Sequence, residues 1–256
     1  MSSENRDRQA ARRPRFHTDG ALVVGEPITL SREASRHLLS VLRAVPGEAL
    51  SLFDGDGRDY TAVLVEAGRE ARVQVTASVE NRAESPLRTT LVQGVSRGDR
   101  MDATVRQAVE LGVSRIVPVR SRRGAIRLDD ARAAKRHAHW RSIIVSACEQ
   151  CGRARLPTLE PLRSFEEWLA DFDAGLATGF VSVPGASTAL ADAPLAPGTE
   201  AAVVIGPEGG LERRERDAAF DAGLRPVHLG PRVLRTETAG PAALTLLQAR
   251  HGDLRS

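Results

Sequence analysis

Residues 201–239, AAVVIGPEGGLERRERDAAFDAGLRPVHLGPRVLRTETA, decide the fold of this chain. We interpret the short apolar runs at 201–206 and 225–230 as strands, and the charged, alanine-containing segment 212–223 between them as a helix. A strand, a helix and a second strand at this spacing predict a βαβ unit, in which the two strands lie parallel in one sheet.

The same alternation extends upstream. We predict strands at 89–95, 114–119 and 176–183, and helices at 98–113, about 128–151 and 165–172. A last helix begins near Thr238. Residues 89–256 are therefore predicted to form an α/β domain with a parallel sheet.

The N-terminal part has a different pattern. Residues 22–80 alternate apolar runs with turn signals and carry one helical insert at 34–47, so we predict a small β-barrel domain over 16–80. The polar segment 81–88, NRAESPLR, is the best linker candidate. Residues 1–15 hold five arginines against Glu4 and Asp7, and we expect a flexible basic arm.

Composition excludes several classes of protein. The chain of 256 residues is 41% hydrophobic and 27% charged, as in soluble globular proteins. Its longest apolar runs are far shorter than the ~20 residues of a membrane span. The N-terminus lacks the apolar segment of a secretory signal, so we expect a cytoplasmic protein without a membrane partner. The two thiols of Cys148 and Cys151 cannot complete a four-ligand zinc site, so we expect no metal and a packing role.

Positive charge is concentrated between residues 115 and 136. Eight basic residues lie there against Asp129 and Asp130, although the net charge of the chain is only +3. Such a patch suits a phosphate backbone, but an arginine-rich helix facing solvent explains it equally well.

Two loops follow predicted parallel strands, where open α/β sheets bind ligands. The glycines of the first, residues 205–210, allow close backbone approach, although this loop by itself is better explained as a strand-to-helix turn. In the second, residues 229–239, Thr236 or Thr238 can cap the last helix and Pro241 suits its first turn. Capping does not explain Arg235 or Glu237.

Four motifs occur in order along the chain: GDRMDATVRQAVELGV at 98–113, EQCGR at 149–153, IGPEGGL at 205–211 and LGPRVLRTETA at 229–239. Together they closely resemble the ribosomal small-subunit RNA (uracil-N3)-methyltransferase family of the SPOUT superfamily. Residues 36–57 resemble that family's PUA-like RNA-binding barrel. The chain departs from the family pattern at Cys151 and at Gly240-Pro241, which interrupts the run after TETA.

The resemblance implies a SPOUT domain with a deep trefoil knot, a homodimer, and 16S rRNA of the small ribosomal subunit as the substrate. It also implies that S-adenosylmethionine (SAM) is bound by three loops at the ends of strands. The corresponding residues here are Phe180, Val183, Ile205, Gly206, Pro207, Glu208, Gly209, Gly210, Leu229, Gly230, Val233, Leu234, Arg235, Thr236, Thr238 and Ala239.

Methylation of uridine N3 requires removal of its proton. Our hypothesis is that Arg235 stabilises charge on the uracil oxygens, and that Glu237, or a water that it holds, removes the proton. A structural role for Glu237 remains the alternative. RNA contacts are expected from Arg12, Arg13 and Arg15 of the arm and from Arg122 and Arg123 of the basic patch.

Two other functions stay open at the level of sequence. A SPOUT enzyme acting on a tRNA ribose 2′-hydroxyl would explain the ligand loops but fits the barrel and RTETA less well. A non-catalytic RNA-binding protein would explain the barrel and the arginines but not the two loops.

Overall fold

The computed structural model describes residues 13–124, 130–195 and 198–254. The chain divides into two compact units. The first comprises residues 1–84 with 148–156, and the second comprises residues 85–147 with 157–256. Residues 148–156, which the sequence assigned to the α/β domain, thus lie in the first unit.

The first unit is built on a five-stranded sheet with the order β1-β3-β4-β5-β2. The β1–β3 pair is parallel and the other pairs are antiparallel. Among the described residues no pair joins β1 to β2, so the unit is a curled sheet, and this is the part of the predicted small β-barrel that the structure shows. The elements are β1 Arg15–His17, β2 Pro27–Thr29, α1 Arg32–Arg36 continued by a π-helical turn His37–Val41, β3 Ala49–Phe53, β4 Arg58–Ala67 and β5 Ala71–Glu80.

Arg15 lies in strand β1, not in a free arm. Its guanidinium donates hydrogen bonds to the Asp59 carboxylate and to the Cys148 carbonyl, each at 2.7 Å. The same group lies 4.0 Å from the centroid of the Phe53 ring. These contacts occupy Arg15 within the first unit and give it a structural role.

The second unit contains the parallel sheet that the sequence predicted. The strand order is β12-β10-β11-β6-β7-β8, β9 also pairs with β7, and every pair is parallel. Every residue of β6 is buried because helices cover the central strands, which explains their continuous apolar runs. The strands are β6 Thr89–Gly94, β7 Arg115–Arg120, β8 Thr158–Leu159, β9 Arg163–Ser164, β10 Ala177–Ser182, β11 Glu200–Ile205 and β12 Arg225–Val227.

The predicted helices are also present. They are α2 Arg100–Glu110, α3 Asp130–Cys151, α4 Phe165–Ala170, α5 Arg213–Asp221 and α6 Thr236–His251, with a 3-10 turn at Leu190–Asp192. Amphipathic spacing explains α2, whose Met101, Val105 and Ala108 are fully buried.

The start of α6 differs from the prediction. The helix begins at Thr236, and its N-cap residue is Arg235 without a side-chain cap, so the expected threonine caps are wrong. Pro241 is the sixth residue of α6 rather than part of its first turn, and the helix continues through it. The Gly240-Pro241 departure therefore does not interrupt the last helix.

Cys148 and Cys151 are free thiols at the end of α3. Burial raises the pKa of the Cys148 thiol to about 12, and this outweighs the nearby Arg153. Such a thiol remains protonated and unreactive at neutral pH, as expected for a packing role. In the described part of the chain, none of the helices combines the length and apolar character needed to cross a membrane.

Candidate functional site

A cavity of about 570 Å³ lies beyond the carboxyl ends of the parallel strands in the second unit. It is formed by the loops that follow β10 and β11, by the segment that leads into α6, and by Arg100, Arg123 and Arg216. Its lining consists of Arg100, Arg123, Ser182, Val183, Pro184, Ile205, Gly206, Pro207, Glu208, Gly209, Gly210, Leu211, Arg216, Val233, Leu234, Arg235, Thr236, Glu237 and Ala239. Its volume is within the range of ligand sites, roughly 300–1,000 Å³.

A buried hydrogen-bond network joins three parts of this site. The amide of Gln93, in β6, donates to the hydroxyl of Thr236 at 2.8 Å. That hydroxyl in turn donates to the Gly206 carbonyl, also at 2.8 Å. Since Gln93 and Thr236 are buried, this network fixes the start of α6 against the loop after β11.

Two glycines permit the close packing around the network. A Cβ on Gly94 would lie 2.5 Å from the Pro207 nitrogen, and a Cβ on Gly240 would lie 2.9 Å from Oε1 of Gln93. Both distances are below normal contact, so β6 can approach the loop and α6 only without a side chain at these positions.

Glu215 holds the far end of the same loop. Its carboxylate is buried and accepts hydrogen bonds from the amide of Glu212 at 2.7 Å and from the amide of Arg122 at 2.8 Å. The first contact belongs to a capping box at the start of α5, and the second joins α5 to the loop after β7. Sequence alone indicated only a charged helix here.

Arg100 lies between two carboxylates of the site. Its Nη1 is 2.9 Å from Oε1 of Glu208, and its Nε is 3.7 Å from Oε1 of Glu237. Burial raises the pKa of the Glu208 carboxyl, but hydrogen bonds from backbone amides, including that of Arg97, and from Arg100 outweigh it, so the net pKa is lowered. Glu208 is therefore ionised at neutral pH and paired with Arg100.

The two proposed catalytic residues both line the cavity. Arg235 is exposed, and its side chain makes no ion pair with any residue that the structure describes. Oε2 of Glu237 is buried and has no hydrogen-bond partner among the described residues. Among the described residues, the site thus offers a ligand the unpaired guanidinium of Arg235 and the buried acceptor oxygen of Glu237.

Four of the predicted cofactor residues do not line the cavity. Phe180 is fully buried within β10, and Thr238 faces a separate groove between α2 and α6. Leu229 and Gly230 also lie outside the lining. The other predicted cofactor residues all line it. Sequence reasoning missed Arg100, Ser182, Pro184, Leu211 and Arg216.

The predicted RNA-binding arginines have different environments. Arg12 lies outside the described residues, and Arg13 is half-buried. Arg122 is paired with Glu166 at 3.0 Å, whereas Arg123 donates to the Gly209 carbonyl at 3.4 Å and lines the cavity. Among the described residues of the basic patch, Arg123 alone lines the cavity.

A parallel α/β sheet with a glycine-lined cavity beyond its strand ends defines a class of enzyme domains that bind small ligands there. The protein-family model described as RNA methyltransferase domain matches residues 83–248 of this chain. The family model described as RNA methyltransferase PUA domain matches residues 30–75. The first match covers more than half of the chain, so the chain belongs to the RNA methyltransferase family.

Named relatives include ribosomal RNA small subunit methyltransferases E. The protein of Buchnera aphidicola is 30% identical over 94% of this chain and 98% of its own length. The protein of Mycobacterium bovis is 32% identical over 90% of this chain and 88% of its own length. The crystal structure of the Neisseria gonorrhoeae enzyme bound to SAM is 40% identical, with a TM-score of 0.88 over 94% of this chain and 99% of that one.

The cavity residues of this chain fit SAM. Val183, Ile205 and Leu211 provide apolar walls for a base, and the glycines of residues 206–210 leave backbone groups close to the cavity. The buried, unpartnered oxygen of Glu237 leaves an acceptor for a hydrogen-bond donor of the second substrate rather than for SAM.

Proposed function

We propose that this protein uses SAM to methylate N3 of a specific uridine in 16S rRNA of the small ribosomal subunit. The observation that carries this proposal is the cavity beyond β10 and β11, in a chain that is 40% identical to a methyltransferase crystallised with SAM. The PUA domain match supports an RNA substrate.

The cavity residues would hold SAM through the three segments that line it. We assign this role to Val183, to residues 205–211 and to residues 233–236 with Ala239. SAM supplies a methyl group that is already activated by a sulfonium. The chain therefore has to orient the uracil, remove the N3 proton and exclude water.

Arg235 and Glu237 have the properties that these steps need. The unpaired guanidinium of Arg235 can donate to the uracil oxygens on which negative charge develops as the proton leaves. The carboxylate of Glu237 can accept that proton, directly or through a water. Its contact with Arg100 also supports the structural alternative, in which Glu237 holds the start of α6.

Glu237→Gln separates the two roles because it keeps the shape of the side chain and removes the base. We expect turnover to fall by about 10²–10⁴-fold, with SAM affinity within threefold of wild type. Methyl transfer would be measured on small subunits from cells that lack the enzyme, and SAM binding by calorimetry. Glu66→Gln, at an exposed carboxylate of β4, is the matched control. Full turnover in Glu237→Gln would exclude Glu237 as the base.

The modified nucleotide is identified in the same experiment by mass spectrometry of the digested RNA. N3-methyluridine at one position of 16S rRNA is the expected product. A ribose-methylated nucleotide, or SAM binding without any transfer, would contradict the proposed function.

We also propose that residues 1–13, with Arg12 and Arg13, contact RNA phosphates together with Arg123. Deletion of residues 1–13 should weaken binding to 16S rRNA. It should also reduce the log–log slope of affinity against salt by about 0.7 for each phosphate that these residues neutralise. An unchanged slope would remove this segment from the RNA site.

The trefoil knot and the homodimer are parts of the same proposal. The knot is supported by the path of the chain, which leaves edge strand β12 and begins α6 beside the central strands β6 and β11. A partly apolar groove between α2 and α6, lined by Ala103, Leu111 and Pro241 among others, suits a second copy of the chain. Light scattering of Ala103→Arg, which places a charge in this groove, should give a monomer where wild type gives a dimer.

A further inference from the structure

The first unit contains an unusual turn directly after its π-helical segment. Arg43 adopts φ +57°, and it is the one non-glycine residue with positive φ among the described residues. A left-handed backbone is unfavourable for a residue with a Cβ, and glycine is the usual choice at such a position after a helix. Elsewhere this unit does use glycine for positive φ, for example at Gly47 and Gly55. The backbone conformation at position 43 therefore disfavours arginine and favours glycine.

The turn is held in place by the core beneath it. Leu38 and Ala44, which flank residues 39–43, are buried, and the Ala44 amide donates to the Leu38 carbonyl at 3.0 Å. The Leu42 amide donates to the His37 carbonyl at 2.9 Å, which forms the π-helical turn. The exposed side chains between these anchors are therefore presented on a fixed backbone.

Those exposed side chains are apolar and basic. Val41, Leu42 and Val45 are 62%, 45% and 56% exposed, respectively. Arg36 and Arg43 are also exposed, and neither guanidinium makes an ion pair or a side-chain hydrogen bond with any residue in the described ranges. We call residues 36–45 the strained turn. Both π-helical turns and strained non-glycine residues tend to occur at functional sites.

We propose that the strained turn is an RNA-binding surface that contacts unpaired nucleotides of the substrate. The two unpaired guanidiniums match the phosphates of such a strand, and the exposed valines and leucine match the faces of unstacked bases. The matched PUA domain, residues 30–75, includes the whole of the segment from Arg36 to Val45. The proposal rests on the proposed RNA methyltransferase function and names a contact surface for the same substrate.

Substitutions at Arg43 separate binding from folding because they move the two properties in opposite directions. Arg43→Gly removes the charge and relieves the backbone strain, so its Tm should be no lower than that of wild type. Its affinity for a 16S rRNA transcript at 50 mM KCl should fall roughly tenfold, the scale of one charge-assisted hydrogen bond. The slope of log affinity against log salt should fall by about 0.7. Arg43→Lys should bind within threefold of wild type, since it retains the charge.

The apolar side chains have a distinct signature. Leu42→Ser should weaken RNA binding without changing the salt slope, because it removes no charge. Arg69→Ala is the matched control for Arg43→Gly, because it removes the charge of an exposed arginine that lies in the β4–β5 turn, outside the strained turn. It should bind RNA as wild type does.

Three results would overturn the proposal. The first is wild-type RNA affinity in both Arg43→Gly and Leu42→Ser. The second is a lower Tm of Arg43→Gly with an unchanged salt slope, which would indicate a structural arginine. The third is a change of oligomeric state in Leu42→Ser at unchanged RNA affinity, which would indicate a protein interface. Methyl transfer by the wild-type protein is measured alongside, so a failure of the proposed function, with no transfer, is distinguishable from a failure at the strained turn alone.

Discussion

Gly94→Ala tests whether the packing of β6 against the loop after β11 shapes the SAM site. The new Cβ would lie 2.5 Å from the nitrogen and 2.6 Å from the Cδ of Pro207, whereas ordinary contact begins at 3.4 Å. The loop must therefore retreat by about 0.9 Å, and the hydrogen bond from Thr236 to the Gly206 carbonyl resists this movement. We expect an overpacking cost of about 1–3 kcal/mol and a Tm lower by roughly 3–10 °C.

The same displacement predicts a loss of SAM affinity. A backbone hydrogen bond of about 2.9 Å that lengthens by ~0.9 Å is no longer a hydrogen bond. Loss of two such bonds at about 1 kcal/mol each weakens binding roughly 30-fold. Calorimetry with SAM and thermal unfolding measure the two effects. Gly20→Ala is the control, because no atom lies within 4 Å of its ideal Cβ. SAM affinity within twofold of wild type at an unchanged Tm would refute this reasoning.

Three further predictions concern charges and pH. In a double-mutant cycle on SAM affinity, Arg100→Met and Glu208→Gln should show a coupling of about 0.5–1 kcal/mol, given the partial exposure of this pair; strictly additive effects would contradict it. Glu84→Gln removes the negative charge that pairs with the buried guanidinium of Arg153, and it should lower the free energy of unfolding in urea by about 3 kcal/mol. A loss below ~1 kcal/mol would contradict a strong contribution of this pair. Folding raises the pKa of the Cys148 thiol to about 12. The stabilisation that comes from burying the neutral thiol is therefore complete below the ordinary pKa of 9.0, and it is lost as the pH rises towards 12. The free energy of unfolding should therefore fall more steeply between pH 9 and 11 in wild type than in Cys148→Ala, and equal slopes would argue against the raised pKa.

Local patterns were sufficient to place most of the helices and strands. The apolar runs of β6, β10 and β11 and the amphipathic spacing of α2 are signals within one segment, and the structure has these elements close to the predicted bounds. Errors occurred where long-range contacts decide the outcome. The start of α6 at Thr236 depends on partners in β6 and in the loop after β11. Arg15 joins a sheet by pairing with Ser51 of β3, and its side chain bonds to Asp59, 44 residues away along the chain.

The residues of the candidate site also divide into those marked by a local sequence pattern and those placed by long-range contacts. The glycines of residues 206–210 and the charged residues Arg235 and Glu237 marked two of its loops in the sequence. Arg100 gave no such signal, because its partners Glu208 and Glu237 are more than 100 residues away along the chain. Phe180 was predicted as a cofactor residue, but it points into the core, whereas Val183, just beyond the strand, lines the cavity.

The sequence by itself determined the parallel α/β domain and its two ligand-type loops, because strand and helix periodicities are local properties of the chain. The tertiary structure alone decided which residues enclose the cavity. The order β10-β11-β6-β7 places the ends of sequence-distant strands side by side, and this order depends on strand pairing rather than on any local pattern. The contacts of Gly94 with Pro207 and of Arg100 with Glu208 follow from that order.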